Sequence, residues 1–496
     1  MRTILVLMDT LKRDVLKVYN QEATAITPAI DSFAEESIVF DEHRVGSMPC
    51  MPARRDILTG RLDFLERYWG PIEPFDVTLP GVLRDYGVFT HITTDHHHYF
   101  RIGGENYCQA FNTWEFQRGQ ESDPWVSLID DPFMPQEHYG NVKRQYQCNK
   151  TKFKSEAGYS TPKTFQNAME WLEINGKNEN FFLTVEVFDP HEPFDCDEKY
   201  LKMYADNYDG PFFDAPQYGE ANEPDAAKEH LKRRYQATLS MTDAGFGRLI
   251  KKLKELNIYD ETIIILTADH GFCLDQHGYW GKNCMHVYDE IARIPFIVHV
   301  PKSFPAVPRR VKALTQNIDI MPTVLDYLAI PIPDKVQGIS LRSLIEGQAA
   351  KVRDYALYGY HSMAVNITDG EYTYLRAPAK EDNYPCYTYT AVPMSIRTFL
   401  GTDCADGIEA GRFLKHTNYP VFKIPVSRED VPFGGKENDF SLKFVNESKL
   451  YCVREDPKQE ISIVDAALEK KYANLLMKAL TAFDAPDEQF ARLGLV

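Results

Sequence analysis

Four short runs of this chain, residues 3–8, 181–188, 262–268 and 294–300, are apolar almost throughout and rich in β-branched or aromatic residues. A strand wetted on one face alternates polar and apolar side chains. A near-continuous apolar run instead marks a strand buried on both faces. Between the runs lie helical patterns, the clearest over about 227–256. There Leu231, Tyr235, Leu239, Ala244, Leu249 and Leu253 share one face, with Gly245 and Gly247 as candidate interruptions. The alternation predicts an α/β fold with a large central, mostly parallel sheet flanked by helices.

The residues that follow these strands carry chemistry. The first run ends at Asp9, the second leads into Asp189-Pro190-His191, and the third into Asp269-His270-Gly271. A weaker run at 88–92 leads into Asp95-His96-His97-His98. Taken singly, an aspartate after a strand is an ordinary helix cap or turn residue. In open α/β sheets, however, ligands bind beyond the carboxyl ends of the strands, so four such ends bearing Asp and His predict one assembled site. Asp9, Asp269 and His270 make a mainly oxygen donor set, suited to Ca²⁺ or Mg²⁺. A divalent ion there would hold an anionic ester and offset charge developing in the transition state.

Composition narrows the partners. The 496 residues include 55 Lys+Arg and 72 Asp+Glu, for a formal charge of −17. That balance excludes the basic footprint of a non-specific nucleic-acid binder, while leaving room for a local anion pocket. No stretch approaches the ~20 apolar residues of a spanning helix, and no membrane association is expected. The first residues have too short an apolar run for a signal peptide. The 9 cysteines are scattered without a pairing framework. Both features lead to the expectation of a cytoplasmic protein.

The most specific motif is Cys50-x-Pro52-x-Arg54 followed by Leu58-Thr59-Gly60. It resembles the signature of the type I, formylglycine-dependent sulfatases of the alkaline phosphatase superfamily. Further segments match that family in order. They are residues 4–9 with Thr27-Pro28-Ala29-Ile30-Asp31, then Phe188 to Phe194, Tyr235 to Asp243, and Thr267 to Gly271 with His277, Gly278 and Lys282. Asp319 to Thr323 and Leu450-Tyr451 with Asp456, Pro457 and Glu460 complete the series.

The resemblance implies that a formylglycine-generating maturase oxidises Cys50 to Cα-formylglycine, and that Asp9, Asp269, His270 and an oxygen of modified Cys50 bind Ca²⁺, with Mg²⁺ or Mn²⁺ as alternatives. The hydrated aldehyde would supply one hydroxyl to attack sulfur and a second to expel sulfate. Arg54 would hold the modified residue, His191 would protonate the leaving oxygen, and Lys282 would neutralise a sulfate oxygen. His97 falls where the family has its "GKWH" histidine.

Two departures stand out. Thr10 occupies the place of a second metal-binding acid, and Asp95 that of the "GKWH" lysine. Asp95 is expected to bind a sugar hydroxyl or orient a histidine, and His361 and Arg376 are further candidate substrate contacts. Residues 1–350 are expected to form the catalytic domain, with 100–160 inserted near the cleft. Residues 351–496 are expected to form a smaller C-terminal antiparallel β unit with a final helix near 464–482. The expected substrate is a small sulfated saccharide, such as one derived from a glycosaminoglycan. The alternatives are a phosphonate monoester or phosphodiester hydrolase on the same fold, and a non-catalytic anion-binding protein if Cys50 stays a thiol.

Overall fold

The computed structural model describes residues 1–307, 309–394, 407–426 and 447–496; Cys404 lies outside them. The strands of the main sheet are β1 (Arg2–Met8), β2 (Ile38–Arg44), β3 (Phe89–Thr94), β4 (Thr113–Phe116), β5 (Phe181–Val187), β6 (Thr262–Ala268), β7 (Phe296–His299) and β8 (Arg309–Gln316). Their order across the sheet is β8-β2-β7-β6-β1-β5-β3-β4. Every residue of β1, β5 and β6 is buried, as their unbroken apolar character requires. All the pairings are parallel except the two made by β7. β7 begins only after Pro295, which has no N–H to give to the ladder.

Register places the site. Met8 of β1 lies opposite Val187 of β5 on one side and Ala268 of β6 on the other. Thr94 of β3 lies opposite Glu186 of β5. The chain therefore leaves four adjacent strands at one level, and strands about 4.8 Å apart bring the next residues together.

Helices α1 (Cys50–Thr59), α2 (Ser160–Asn175) and α3 (Asp225–Glu255) flank the sheet. α3 runs unbroken through Gly245 and Gly247. Gly245 marks a close helix crossing, because a Cβ there would overlap the Phe165 ring of α2. Residues 100–160 are partly built into the sheet, since β4 extends its edge.

In the C-terminal region, Ala356–Tyr360, Val365–Thr368, Tyr372–Arg376 and Lys449–Cys452 pair antiparallel. The Ser47–Met48 strand joins this sheet in parallel, just before Cys50. Helix α4 (Ala466–Ala482) covers it with Tyr472, Leu476 and Leu480. α4 is not the last helix, because a short one follows at Glu488–Arg492. No helix among the described residues is long and apolar enough to cross a membrane.

The Gly245 crossing is testable. A solvent-facing Gly→Ala in a helix gains about 1 kcal/mol of propensity, but overpacking costs about 1–3 kcal/mol. Gly245→Ala should therefore lower the urea midpoint. A raised midpoint would show that Phe165 is free to move aside.

Candidate active site

Cys50 opens α1, and all ten residues of that helix are buried. Gly60 ends it in the left-handed region at φ 62°, with its N–H on the Asp56 carbonyl at 2.8 Å. The Leu-Thr-Gly part of the motif is thus a helix terminus. The Cys50 Sγ lies 3.2 Å from His270 Nε2 and 3.4 Å from Lys282 Nζ. Burial, and then the Asp9 carboxylate, push its thiol pKa well above the ordinary value. Cys50 is therefore a protonated thiol, a poor nucleophile as it stands.

Arg54, one turn along α1, is 1% exposed and reaches beneath Cys50. Its guanidinium pairs with Asp9 Oδ2 at 2.9 Å, with Asp269 Oδ2 at 2.5 Å, and through Nε with Glu186. Nη1 also donates to the Cys50 carbonyl at 3.1 Å. Glu186 is the partner that sequence reading missed. It accepts from Thr94 Oγ1 at 2.8 Å and Tyr99 OH at 3.1 Å as well. Its only trace in the sequence is a carboxylate inside an apolar strand.

Thr10 adopts φ 61°, unusual for a β-branched residue and a mark of local strain. That turn lets its N–H reach Asp269 Oδ1 at 3.0 Å and its hydroxyl reach Asp9 Oδ1 at 2.7 Å. Lys282 Nζ donates to the same hydroxyl at 3.2 Å. Tyr235 of α3 clamps the loop from behind, accepting from the Lys12 N–H and donating to the Thr10 carbonyl.

Burial of Lys282, which is 3% exposed, works against its charge, yet the Asp9, Glu192 and Asp269 carboxylates hold it protonated. Tyr360 donates to the Lys282 carbonyl and fixes this stretch. His191 Nδ1 meets the Glu192 carbonyl at 2.7 Å. A carbonyl only accepts, so Nδ1 carries the proton and Nε2 has a lone pair. Burial keeps the His191 pKa below its usual value.

Asp9, Cys50, Asp269 and His270 present ligand atoms within 4.8 Å of one another. Asp9, Asp269 and Glu186 together set three carboxylates against Arg54 and Lys282. Arg54 holds Asp9 below the carboxylate range in spite of burial. Burial and Asp9 push Asp269 up to about 7. Arg54 is shared among three carboxylates, which leaves repulsion between Asp9 and Asp269 uncompensated, so the donor set fits a divalent metal that would offset it.

The other expected residues are placed differently. His96, not His97, stands beside Asp9, with Nε2 3.5 Å from Oδ2. His97 turns toward Glu121 and Arg101. Asp95 is fully buried and directs its oxygens to the Phe188 N–H, Gln120 and Thr161, at 2.7, 3.1 and 2.9 Å. It braces the strand end before His191 and is not presented to a sugar hydroxyl; burial raises its pKa to about 7. His361 is buried behind the site, bonded to the Phe64 carbonyl and Thr388. Arg376 lies apart, on the C-terminal carbonyls of Leu493 and Gly494.

A metal at this centre needs Asp269 ionised, so its binding should release a proton near neutrality and weaken as pH falls below about 7. Calorimetric Ca²⁺ titrations in two buffers of different protonation enthalpy would show this as buffer-dependent heat. Equal heats would place the ion elsewhere.

Comparison with known proteins gives a concordant result. Residues 2–330 match the family model described as Sulfatase, and residues 275–397 match one described as N-sulphoglucosamine sulphohydrolase, C-terminal. An arylsulfatase of Clostridium perfringens is 26% identical over 404 residues, covering 72% of this chain and 81% of that protein. An N-acetylglucosamine-6-O-sulfatase of Bacteroides thetaiotaomicron is 35% identical over 133 residues, which is 27% of this chain but only 23% of that protein. A solved structure described as a complex with its substrate D-glucosamine-2-N,6-O-disulfate superposes with a TM-score of 0.67 at 17% identity, covering 98% of both chains.

Proposed function

The chain belongs to the sulfatase family, whose members are sulfuric ester hydrolases, and on that premise we propose that it removes sulfate from a small sulfated saccharide. The observation that carries this reading is Cys50: a buried, protonated thiol at a helix N-terminus, between Lys282 and the Asp9–Asp269–His270 donor set. A thiol so placed has little use as a thiol, whereas the motif around it is the one that becomes formylglycine in the family. The saccharide assignment draws support from the two relatives whose descriptions name glucosamine derivatives.

Asp9, Asp269, His270 and position 50 would hold a divalent ion, Ca²⁺ by the hardness of the carboxylates, with Mg²⁺ and Mn²⁺ as alternatives. When bound it would supply Lewis-acid stabilisation of the ester oxygens. Formylglycine, made from Cys50 by a dedicated maturase, would supply a hydrated aldehyde as nucleophile.

The chain's own residues do the rest. Arg54 fixes position 50 through its carbonyl and keeps Asp9 ionised. Lys282 sets a permanent positive charge beside position 50 for a sulfate oxygen. His191 keeps its free Nε2 for a proton at the leaving oxygen, with Nδ1 locked on the Glu192 carbonyl. A bound sulfate anion raises its proton affinity and makes the imidazolium attainable.

Co-expression with a formylglycine-generating maturase, followed by assay on sulfated mono- and disaccharides, an aryl sulfate, and phosphonate and phosphodiester esters, tests the proposal. Sulfate release from saccharides, abolished by Cys50→Ala, is the expected result. Turnover of the phosphorus esters alone would overturn it.

The roles are separable. Lys282→Ala should lower kcat by about 10²–10³-fold on every substrate, as loss of an electrostatic donor does. His191→Ala should cost about 10²–10⁴-fold on a sugar sulfate but little on an aryl sulfate, whose leaving group needs no proton. Because His191 must be protonated and its pKa is lowered, kcat/KM should decline as pH rises through a value below 6.5. Equal losses on both leaving groups would remove His191 from that role.

A further inference from the structure

Among the described residues, one other cluster has convergent ligand atoms: His97, His98 and Glu121, again within 4.8 Å of one another. All three are buried, at 3%, 3% and 6% exposure. His98 Nε2 lies 3.2 Å, and His97 Nε2 3.4 Å, from the same atom, Glu121 Oε2. Neither ring nitrogen of His98 makes a hydrogen bond, nor does Glu121 Oε2. Buried polar atoms normally have partners. Here they are aimed at one another, without the alignment of donor to acceptor. Bonds of about 2.0–2.1 Å in a tetrahedral zinc site place ligand atoms about 3.3–3.4 Å apart, close to the 3.4 and 3.2 Å that separate the two ring nitrogens from Glu121 Oε2.

The surroundings set the protonation that such a site needs. Arg101 Nη2 donates to His97 Nε2 at 3.1 Å. A guanidinium only donates, so that nitrogen carries a lone pair. Burial holds both imidazoles neutral, with pKa values well below the usual one. Lys143 pairs with Glu121 Oε1, keeping the carboxylate ionised and leaving Oε2 to the histidines. Arg101 and Lys143 stand at the rim of the cluster, so an incoming cation would displace the Arg101 hydrogen bond from His97 Nε2 and take that lone pair beside those of His98 and Glu121. Two imidazoles and a carboxylate are borderline ligands, unlike the carboxylate-rich set at Asp9 and Asp269.

We propose that His97, His98 and Glu121 form a second metal site that takes Zn²⁺ or a similar late first-row divalent ion. Three protein ligands leave a fourth position open, as in zinc sites that bind an exogenous ligand. The rings of His97, His98 and His191 all pack around Phe188, at 5.7, 6.0 and 4.3 Å, so the ion would sit beside the cleft. The proposal does not depend on the sulfatase chemistry.

The test uses the full chain, stripped by chelator and then titrated with Zn²⁺ in saturating Ca²⁺ to fill the oxygen-rich centre. Metal retained after desalting is counted by mass spectrometry. One Zn²⁺ per chain is expected in the wild type and in Asp269→Asn. In Glu121→Gln and His98→Ala the affinity should fall by more than the 10–100-fold that loss of an outer-shell partner costs. Co²⁺ in place of Zn²⁺ should give the visible absorption of a tetrahedral ion, absent from the same two variants. Circular dichroism checks folding; Glu121→Gln, nearly isosteric, decides the matter if His98→Ala does not fold. Absence of Zn²⁺ from the wild type, its full retention in Glu121→Gln, or its loss in Asp269→Asn would overturn the proposal. So would His98-dependent binding of inorganic sulfate without Zn²⁺, which would make the cluster an anion subsite.

Discussion

One guanidinium holds the centre together. Arg54 arrives from α1 and meets carboxylates delivered by three neighbouring parallel strands, Asp9 after β1, Glu186 within β5 and Asp269 after β6. All four charges are removed from water, which is tolerable only because each carboxylate has a partner. Taking away one member of such a group strands the others, at a cost of about 3–5 kcal/mol. The arrangement ties the start of α1, and therefore Cys50, to the strand ends whose register already aligns the metal donors. Sheet, helix and site share one set of contacts.

The two departures from the family pattern acquire physical content from this frame. Thr10 is not simply a missing acid. Its hydroxyl links Lys282 to Asp9, and its strained turn brings its N–H onto Asp269. The loss of one negative charge is thus matched by a neutral bridge that keeps an ammonium near Cys50. Asp95 likewise works inward. Its grip on the Phe188 N–H, with Gln120 linking it to Asp189, stiffens the segment that carries His191.

Much of this was legible in the sequence, for definite reasons. Runs buried on both faces announce parallel strands, and the chemistry sits at their carboxyl ends, so Asp9, His191, Asp269 and His270 could be picked out before any coordinates. Cys50, Arg54 and Lys282 were legible through motif spacing. What escaped depends on contacts between distant segments. Glu186 looks like a tolerated polar residue until Arg54, 132 positions away, is set against it. The choice between His96 and His97 turns on a short helical turn, His97–Phe100, that spacing cannot resolve. Arg376 has the right charge for a sulfate contact, yet its strand delivers it to the chain's C-terminal end. Gly245 suggested a break in α3, whereas its missing side chain serves the neighbouring helix.

The burial of α1 bears on the order of events in the life of the molecule. Cys50 is 2% exposed, Arg54 1%, and Pro52 is buried between them. No second protein can grip those three side chains once α1 is seated on the sheet. Any enzyme that alters Cys50 by recognising its neighbours must reach them while this segment is still extended. Under the proposed maturation, folding and modification are in a race, and a chain that folds first would keep its thiol. A slower collapse around residues 50–60 would raise the fraction of competent molecules without changing one contact in the finished structure.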